Sequence, residues 1–215
     1  MKKVILSSLI IATIFATACT QKETTVNLFN GSDLSNWIFV VKGDSVPADQ
    51  VFMVQDSTIL IKGLPFGYMY TKDKYSNYTL QLEYRWANQA SNSGIFLLIE
   101  DPANPFPKGI ECQLHAGDAG DFVLLNGSDM NEYVLPDSLT ERPKFPVIAK
   151  QHSSSEKPVG EWNKVKITVD NGKVTVYINN TLQNKGTSLV TEGNIGLQSE
   201  GDEIQFKNLT LTLNE

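Results

Sequence analysis

Three polar side chains at alternating positions are the residues of this sequence best suited to chemistry. Glu111, Gln113 and His115 recur at every second position, and the residues between them are hydrophobic. Because alternate side chains of a β-strand point to the same face, the segment predicts a carboxyl, an amide and an imidazole group in one row. Such a row supplies general acids, general bases and hydrogen-bonding groups. It is also compatible with an ordinary solvent-facing strand.

A second polar face is predicted on the strand Tyr78–Trp86, where Gln81, Glu83 and Arg85 alternate with hydrophobic residues. This alternation is typical of a strand with one buried face and one polar face. We expect Glu83 and Arg85 to converge with Glu111 in one hydrophilic cavity.

Two amide side chains, those of Asn92 and Gln198, are adaptable donors and acceptors that suit sugar hydroxyl groups. Asn92 opens an Asn-Ser-Gly run that is equally compatible with a simple turn. The tryptophans have hydrophobic neighbours, which favours the core over a sugar-stacking surface for all three (Trp37, Trp86 and Trp162).

The elements that must position these residues are strands from Asn27 onward. The hairpin signal Asn171-Gly172 joins two alternating segments, and no long stretch keeps a helical period with caps. About ten predicted strands without a helix indicate an all-β fold, a two-sheet antiparallel β-sandwich or jelly roll, formed by one domain over residues 27–215. Asp101–Pro107 and Pro136–Lys157 are predicted long loops, which in compact domains often carry function.

Composition and charge exclude several classes of protein. The chain has 215 residues, with 18 Lys and Arg against 24 Asp and Glu, a formal net charge of −6. No run of Lys and Arg occurs along the sequence, which argues against nucleic acid as a partner. With 2 cysteines, a Cys-rich zinc site is excluded.

The N-terminus predicts export. Two lysines and a hydrophobic segment lead to Ala16-Thr17-Ala18-Cys19, which indicates a lipoprotein signal peptide over residues 1–18, lipidation of Cys19 and a tether over residues 19–26. We therefore expect a protein anchored by lipid to the membrane of a bacterial cell envelope, in the periplasm or on the outer-membrane surface. A plain secretory signal with an incidental cysteine is the alternative, and it also exports the protein.

Six segments, in order along the chain, resemble the 3-keto-disaccharide hydrolase domain family. They are LFNGSDLSNW (28–37), YTLQLEYR (78–85), NSGIF (92–96), GIECQL (109–114), KPVGEWN (157–163) and GNIGLQ (193–198). The resemblance implies a concanavalin A-like jelly roll and a glycoside as the substrate. The chain departs from the family pattern at Ser199-Glu200-Gly201, where the family often has an acidic residue and a histidine.

A 3-keto sugar permits cleavage without a carboxylate nucleophile. The ketone acidifies the hydrogen on C2, so that a base removes it, the C1 substituent leaves, and water adds back. On this resemblance, the expected base is Glu111 or His115, and the group that stabilises the enolate is Arg85 or a bound divalent metal ion. Glu83 is expected to orient Arg85 or to act as a second acid. The residues expected to bind sugar hydroxyls are Asn92, Gln113 and Gln198.

Two other functions remain open at this point. A non-catalytic surface carbohydrate-binding lipoprotein would use the same sandwich and polar platform without a base. A conventional glycosidase would cleave unoxidised glycosides, but the strand around Glu111 carries a single acid where that mechanism needs two. The 3-keto route also requires a partner, a sugar 3-oxidoreductase that supplies the oxidised substrate.

Overall fold

The computed structural model describes residues 24–214, so the predicted signal peptide and Cys19 lie outside the described residues. The described part contains fifteen strands and two short 3-10 helices, Lys42–Asp44 and Ala48–Gln50. Within residues 24–214, no helix is long and apolar enough to cross a membrane. The strands are, in chain order, β1 (Thr24–Asn27), β2 (Trp37–Val41), β3 (Phe52–Gln55), β4 (Thr58–Ile61), β5 (Gly67–Thr71), β6 (Tyr78–Trp86), β7 (Gly94–Asp101), β8 (Lys108–Gln113), β9 (Phe122–Leu125), β10 (Val147–Ile148), β11 (Asn163–Asp170), β12 (Lys173–Ile178), β13 (Thr181–Thr187), β14 (Asn194–Ser199) and β15 (Ile204–Leu213).

Two antiparallel sheets form the predicted sandwich. The eight-stranded sheet has the order β13-β12-β11-β6-β15-β4-β3, with β1 paired to β15, and the seven-stranded sheet has the order β10-β9-β8-β7-β14-β5-β2. Each sheet combines hairpins of consecutive strands with pairings between distant parts of the chain, such as β6 with β15 and β7 with β14, as in a jelly roll. The predicted all-β sandwich is therefore confirmed.

Alternation along the strands builds the core between the sheets. In β6 the even-numbered residues from Tyr78 to Trp86 are buried in the main hydrophobic cluster, and in β8 Ile110 and Cys112 join the same cluster from the other sheet. Each sheet therefore keeps a second face that is turned away from its partner sheet. We call this the outer face of that sheet.

The predicted tether is wrong at its C-terminal end. Thr24–Val26 belong to β1, which pairs antiparallel with residues 210–213 of β15. Two β-branched threonines followed by valine suit an edge strand as well as a polar linker, and the composition of so short a segment does not distinguish the two.

Candidate functional site

The candidate site is a cleft of about 230 Å³ on the outer face of the seven-stranded sheet. Glu111 and Gln113 of β8 both line it, because the residues that alternate with them, Ile110 and Cys112, enter the core. The predicted row of polar groups on this strand is thus present. His115 lies two residues beyond the end of β8 and is exposed at the rim.

Glu111 is the buried carboxyl group of the cleft. Its side chain is 3% exposed, and it lies over Gly94 of β7. A Cβ atom built on Gly94 would have three nearest neighbours, all of them atoms of the Glu111 side chain, with Cγ and Cδ at 2.8 Å. The glycine of the Asn-Ser-Gly run therefore provides the space in which the Glu111 carboxyl lies.

A second carboxyl group, that of Glu200, faces the same cleft. Glu200 follows the end of β14, two residues after Gln198, whose Nε2 donates a hydrogen bond of 2.8 Å to Glu200 Oε2. Asn92 precedes β7 and lines the same cleft. Ser93 ties the two segments together, since its hydroxyl donates to the carbonyl oxygen of Gln198 at 2.9 Å.

The two carboxyl groups lie in different environments, which shift their pKa values differently. Burial, followed by the nearby charge of Glu200, raises the pKa of the Glu111 carboxyl well above its ordinary value. Burial also raises the pKa of Glu200, but the amides of Asn92 and Gln198 and the imidazole of His115 act in the opposite direction. Glu111 is therefore the group that holds a proton and Glu200 the group that ionises first.

Three buried oxygen atoms in the cleft lack a hydrogen-bond partner among the described residues. They are Glu111 Oε1, Gln198 Oε1 and Asn92 Oδ1. Buried polar atoms are normally paired, so three of them around one small cleft indicate a ligand that offers several hydroxyl donors. A sugar ring has this chemistry.

Gln113 differs from these residues because its oxygen is already engaged. Its Oε1 accepts hydrogen bonds from the backbone amides of Leu114 at 3.1 Å and His115 at 3.2 Å. The amide nitrogen of Gln113 is therefore the part of this side chain that can donate to a ligand.

His115 belongs to a polar chain at the rim of the cleft. Its Nδ1 lies 3.1 Å from Asp118 Oδ2, and Lys150 Nζ donates to Asp118 Oδ1 at 3.2 Å. Hydrogen bonding from Lys150 and then from His115 lowers the pKa of Asp118. The contact with Asp118 holds the His115 ring in place at the rim.

The opposite wall of the cleft is apolar and comes partly from the two predicted long loops. Phe106 and Phe145 pack edge to face, with ring centroids 5.5 Å apart, beside Val123 and Leu125 of β9. The first loop is fixed by the Tyr68 hydroxyl, which donates to the Ala103 carbonyl at 2.9 Å. A cleft with polar groups on one wall and apolar groups on the other suits a sugar derivative, which has hydroxyl groups and apolar C–H surfaces.

The structure does not bring Glu83 and Arg85 to Glu111, and the predicted convergence is wrong. Both residues alternate with core residues of β6 and so lie on the outer face of the other sheet. Arg85 donates to Gln205 Oε1 at 2.7 Å, and Asn208 donates to Glu83 Oε1 at 2.9 Å. Adjacent segments in the sequence suggested adjacent faces, but β6 and β8 belong to different sheets.

Trp162 also departs from its predicted place in the core. It is partly exposed on that same outer face, where Arg85 and Lys207 lie 4.6 and 4.0 Å from its ring centroid. Trp37 and Trp86 are buried as predicted, with 4% and 2% exposure.

No group of three or more His, Cys, Asp or Glu side chains occurs among residues 24–214 in an arrangement that would hold a metal ion. In the cleft, Glu111 and Glu200 are the two carboxyl groups, with amide oxygens of Asn92 and Gln198 beside them. This set is smaller than the ligand set of a closed Ca²⁺ site, whereas Mg²⁺ is commonly held by one or two carboxylates together with water and substrate.

Sequence reasoning missed Glu200, Phe106 and Phe145. Glu200 follows Gln198 at the same two-residue interval that relates Gln113 to Glu111, and this interval was a usable signal. The phenylalanines lie in loops, where no periodicity reports which way a side chain points. The predicted site residues that the structure does unite at the cleft are Asn92, Glu111, Gln113 and Gln198, with His115 at its rim.

Comparison with known proteins agrees with the fold. A 3-keto-disaccharide hydrolase of Bacteroides thetaiotaomicron is 24% identical over 86% of this chain and 76% of its own length. A crystal structure from Parabacteroides distasonis, provisionally named a glycosyl hydrolase, has a TM-score of 0.64 at 21% identity and covers 89% of this chain and 94% of that one. The carbohydrate-binding module CBM66 from Bacillus subtilis has a TM-score of 0.59 at 13% identity, covering 81% of this chain and 93% of that one.

The family and the curated relative indicate a hydrolase of the glycosidase class, and the solved structures show the shared sandwich fold. The family model matches residues 24–212, nearly all of the described chain. This chain belongs to the family of 3-keto-alpha-glucoside-1,2-lyase-like domains.

Proposed function

We propose that the protein cleaves 3-keto-glycosides by elimination across C1 and C2, followed by addition of water. The observation that carries this proposal is the pair Glu111 and Glu200, two carboxyl groups that line one cleft in different environments, beside buried oxygens without partners. The family membership supports the choice of a 3-keto sugar as the substrate class.

The reaction needs a base and an acid but no nucleophile from the protein. The base removes the proton on C2, and the electron pair of that C–H bond forms an enolate whose charge lies on the C3 oxygen. The enolate then expels the C1 substituent, whose oxygen takes a proton and leaves as an alcohol. Water adds to C1 of the resulting unsaturated ketone and C2 regains a proton, so one water is consumed and no carbon is oxidised or reduced overall.

Glu200 is the base in this scheme and Glu111 the acid. Glu200 ionises first because amide donors and the His115 imidazole stabilise its carboxylate. Glu111 keeps its proton because it is buried beside that charge, so it can deliver the proton to the departing C1 oxygen. This division follows the general rule that two titratable groups with separated pKa values supply the acid and the base.

The amide side chains complete the scheme. Gln113 donates from its free nitrogen to the C3 oxygen, where negative charge develops, and Gln198 and Asn92 accept hydrogen bonds from sugar hydroxyls through their unpartnered oxygens. His115 supports the ionised form of Glu200 from the rim. Arg85, on the far side of the sandwich, has no part in it.

Release of the aglycone from a chromogenic 3-keto-glucoside tests the proposal. Glu111→Gln and Glu200→Gln should each lower kcat by about 10²–10⁴-fold, the usual contribution of a general acid or base. Glu192→Gln, an exposed carboxyl before β14, is the matched control and should leave turnover unchanged. Wild-type turnover in both cleft variants would refute the assignment. Equal cleavage of the unoxidised glucoside would instead indicate a conventional glycosidase, and binding without turnover a carbohydrate-binding module.

We also propose that the protein is exported and held on a bacterial membrane through a lipid on Cys19, as its N-terminal sequence predicts. Fractionation of cells that express the full chain tests this point. The wild-type protein should sediment with membranes, and Cys19→Ser should move it to the soluble fraction. Wild-type protein in the soluble fraction would contradict lipidation of Cys19 and would favour a plain secretory signal.

A further inference from the structure

We propose that the outer face of the eight-stranded sheet binds a carboxylated polysaccharide. This face is formed by the outward side chains of β6, β11, β12, β13 and β15. Six cations share it, brought together from distant parts of the chain by strand pairing: Arg85, Lys164, Lys166, Lys173, Lys185 and Lys207. We refer to it as the basic face.

The basic face contrasts with the charge of the whole chain. Its six cations are accompanied by two outward carboxylates, Glu83 and Asp170, so the face carries about +4 while the chain carries −6. One of the two carboxylates is already engaged, since Glu83 lies 3.8 Å from Lys207 Nζ. Positive charge concentrated on one face of an acidic protein attracts and orients an anionic partner.

The shape of this face suits a chain-like ligand. A cleft of about 770 Å³ and a smaller one of about 310 Å³ lie side by side and share Gln81, Lys164 and Val165. Ser57 and Gln81 also line the large cleft, and a hydroxyl and an amide group pair with the hydroxyl groups of a sugar. Alternating hydroxyls and carboxylates along an extended chain are the chemistry of a uronic acid polymer.

The same residues disfavour a lipid bilayer as the partner. Among the outward positions of these five strands, Tyr177 is the one large hydrophobic side chain that is clearly exposed, so the face offers little to insert into a lipid bilayer. Five of the six cations are lysines, and the remaining one, Arg85, is held by Gln205 and Trp162. Most of the positive charge of the face therefore lies on flexible lysine ammonium groups, which attract anions as point charges.

The basic face and the catalytic cleft lie on opposite sides of the sandwich. Binding of a polymer would therefore hold the protein at its substrate source without occupying the cleft. This inference goes beyond the proposed function and does not depend on which residue is the acid or the base.

Binding to polygalacturonate, measured by calorimetry with the purified protein, tests the inference. The wild-type protein should bind, with an affinity that falls as salt is added, and the double variant Lys164→Gln/Lys166→Gln should bind about tenfold more weakly, since two exposed ion pairs contribute about that much. Lys72→Gln/Lys74→Gln changes the same charge in the loop after β5 of the other sheet and should bind like the wild type.

Turnover of the small chromogenic substrate should be equal in all three proteins, which separates this test from that of the proposed function. Equal affinity of the two double variants would overturn the inference. Binding to neutral dextran, to phosphatidylglycerol vesicles or to duplex DNA as tight as binding to polygalacturonate would also overturn it, in favour of a generic or a different anionic partner.

Discussion

The contact between Gly94 and Glu111 yields a sharp prediction. A methyl group at position 94 would meet the Glu111 side chain at 2.8 Å or less, whereas ordinary van der Waals contact begins at 3.4 Å. The carboxyl of Glu111 must therefore shift by about 1 Å in Gly94→Ala, and a misplacement of that size costs about 10²-fold in rate. The backbone at Gly94 is not left-handed, so alanine introduces no strain of its own.

A double-mutant cycle isolates this effect. The four proteins are the wild type, Gly94→Ala, Glu111→Ala and the double variant, and each is assayed for aglycone release and thermal unfolding. If Gly94 serves only to make room for Glu111, adding Gly94→Ala to Glu111→Ala should cost no further activity. In that background alanine should also stabilise the strand, because glycine in a strand interior costs about 0.5–1 kcal/mol relative to alanine.

The reasoning would be refuted by either of two results. One is a Gly94→Ala variant with wild-type kcat, which would show that the position of Glu111 is not critical. The other is a further large loss of activity when Gly94→Ala is added to Glu111→Ala, which would show that the glycine acts through something other than this carboxyl.

Other predictions concern the charge, the wall and the rim of the cleft. Folding raises the pKa of Glu111, so the folded protein binds a proton that the unfolded chain releases, and this group destabilises the fold as pH rises above the ordinary carboxyl pKa. Glu111→Gln should therefore raise Tm at neutral pH and leave it unchanged under acidic conditions. A difference in Tm between variant and wild type that stays the same across pH would contradict this. Phe145→Ala should raise KM for aryl 3-keto-glycosides more than for methyl 3-keto-glycosides, since it removes an apolar contact worth about 1–3 kcal/mol. His115→Gln should move the acidic limb of kcat/KM to higher pH, because the charge of the His115 imidazole lowers the pKa of Glu200. An unmoved limb would remove His115 from the scheme. Treatment with EDTA should leave aglycone release unchanged if the described side chains stabilise the enolate. Loss of activity that a divalent cation restores would show instead that a metal ion stabilises it.

The sequence predicts local structure in this protein well. β6 has the predicted bounds, and the Asn171-Gly172 turn connects β11 to β12 as expected, with both residues at positive φ. These elements were predictable because alternation and turn chemistry depend on neighbouring residues. The face on which Glu111 and Gln113 lie followed from the same alternation.

The arrangement of strands in space was not predictable in this way. Arg85 and Glu111 lie on opposite outer faces because β6 pairs with β11 and β15, whereas β8 pairs with β7 and β9. The pairings of β6 join residues far apart in sequence, and alternation within one strand carries no information on its neighbours. The basic face was missed for the same reason, since its lysines form a cluster only after the strands pair.

The cleft draws its two walls from different kinds of structure. The carboxyl groups sit on or next to paired strands, whereas Phe106 and Phe145 lie in connecting segments. Insertions are tolerated far better in connecting segments than in strands, and a single residue added to β8 would turn Glu111 into the core. Changes in these two loops can therefore alter the leaving groups that the cleft admits while Glu111 and Glu200 keep their positions.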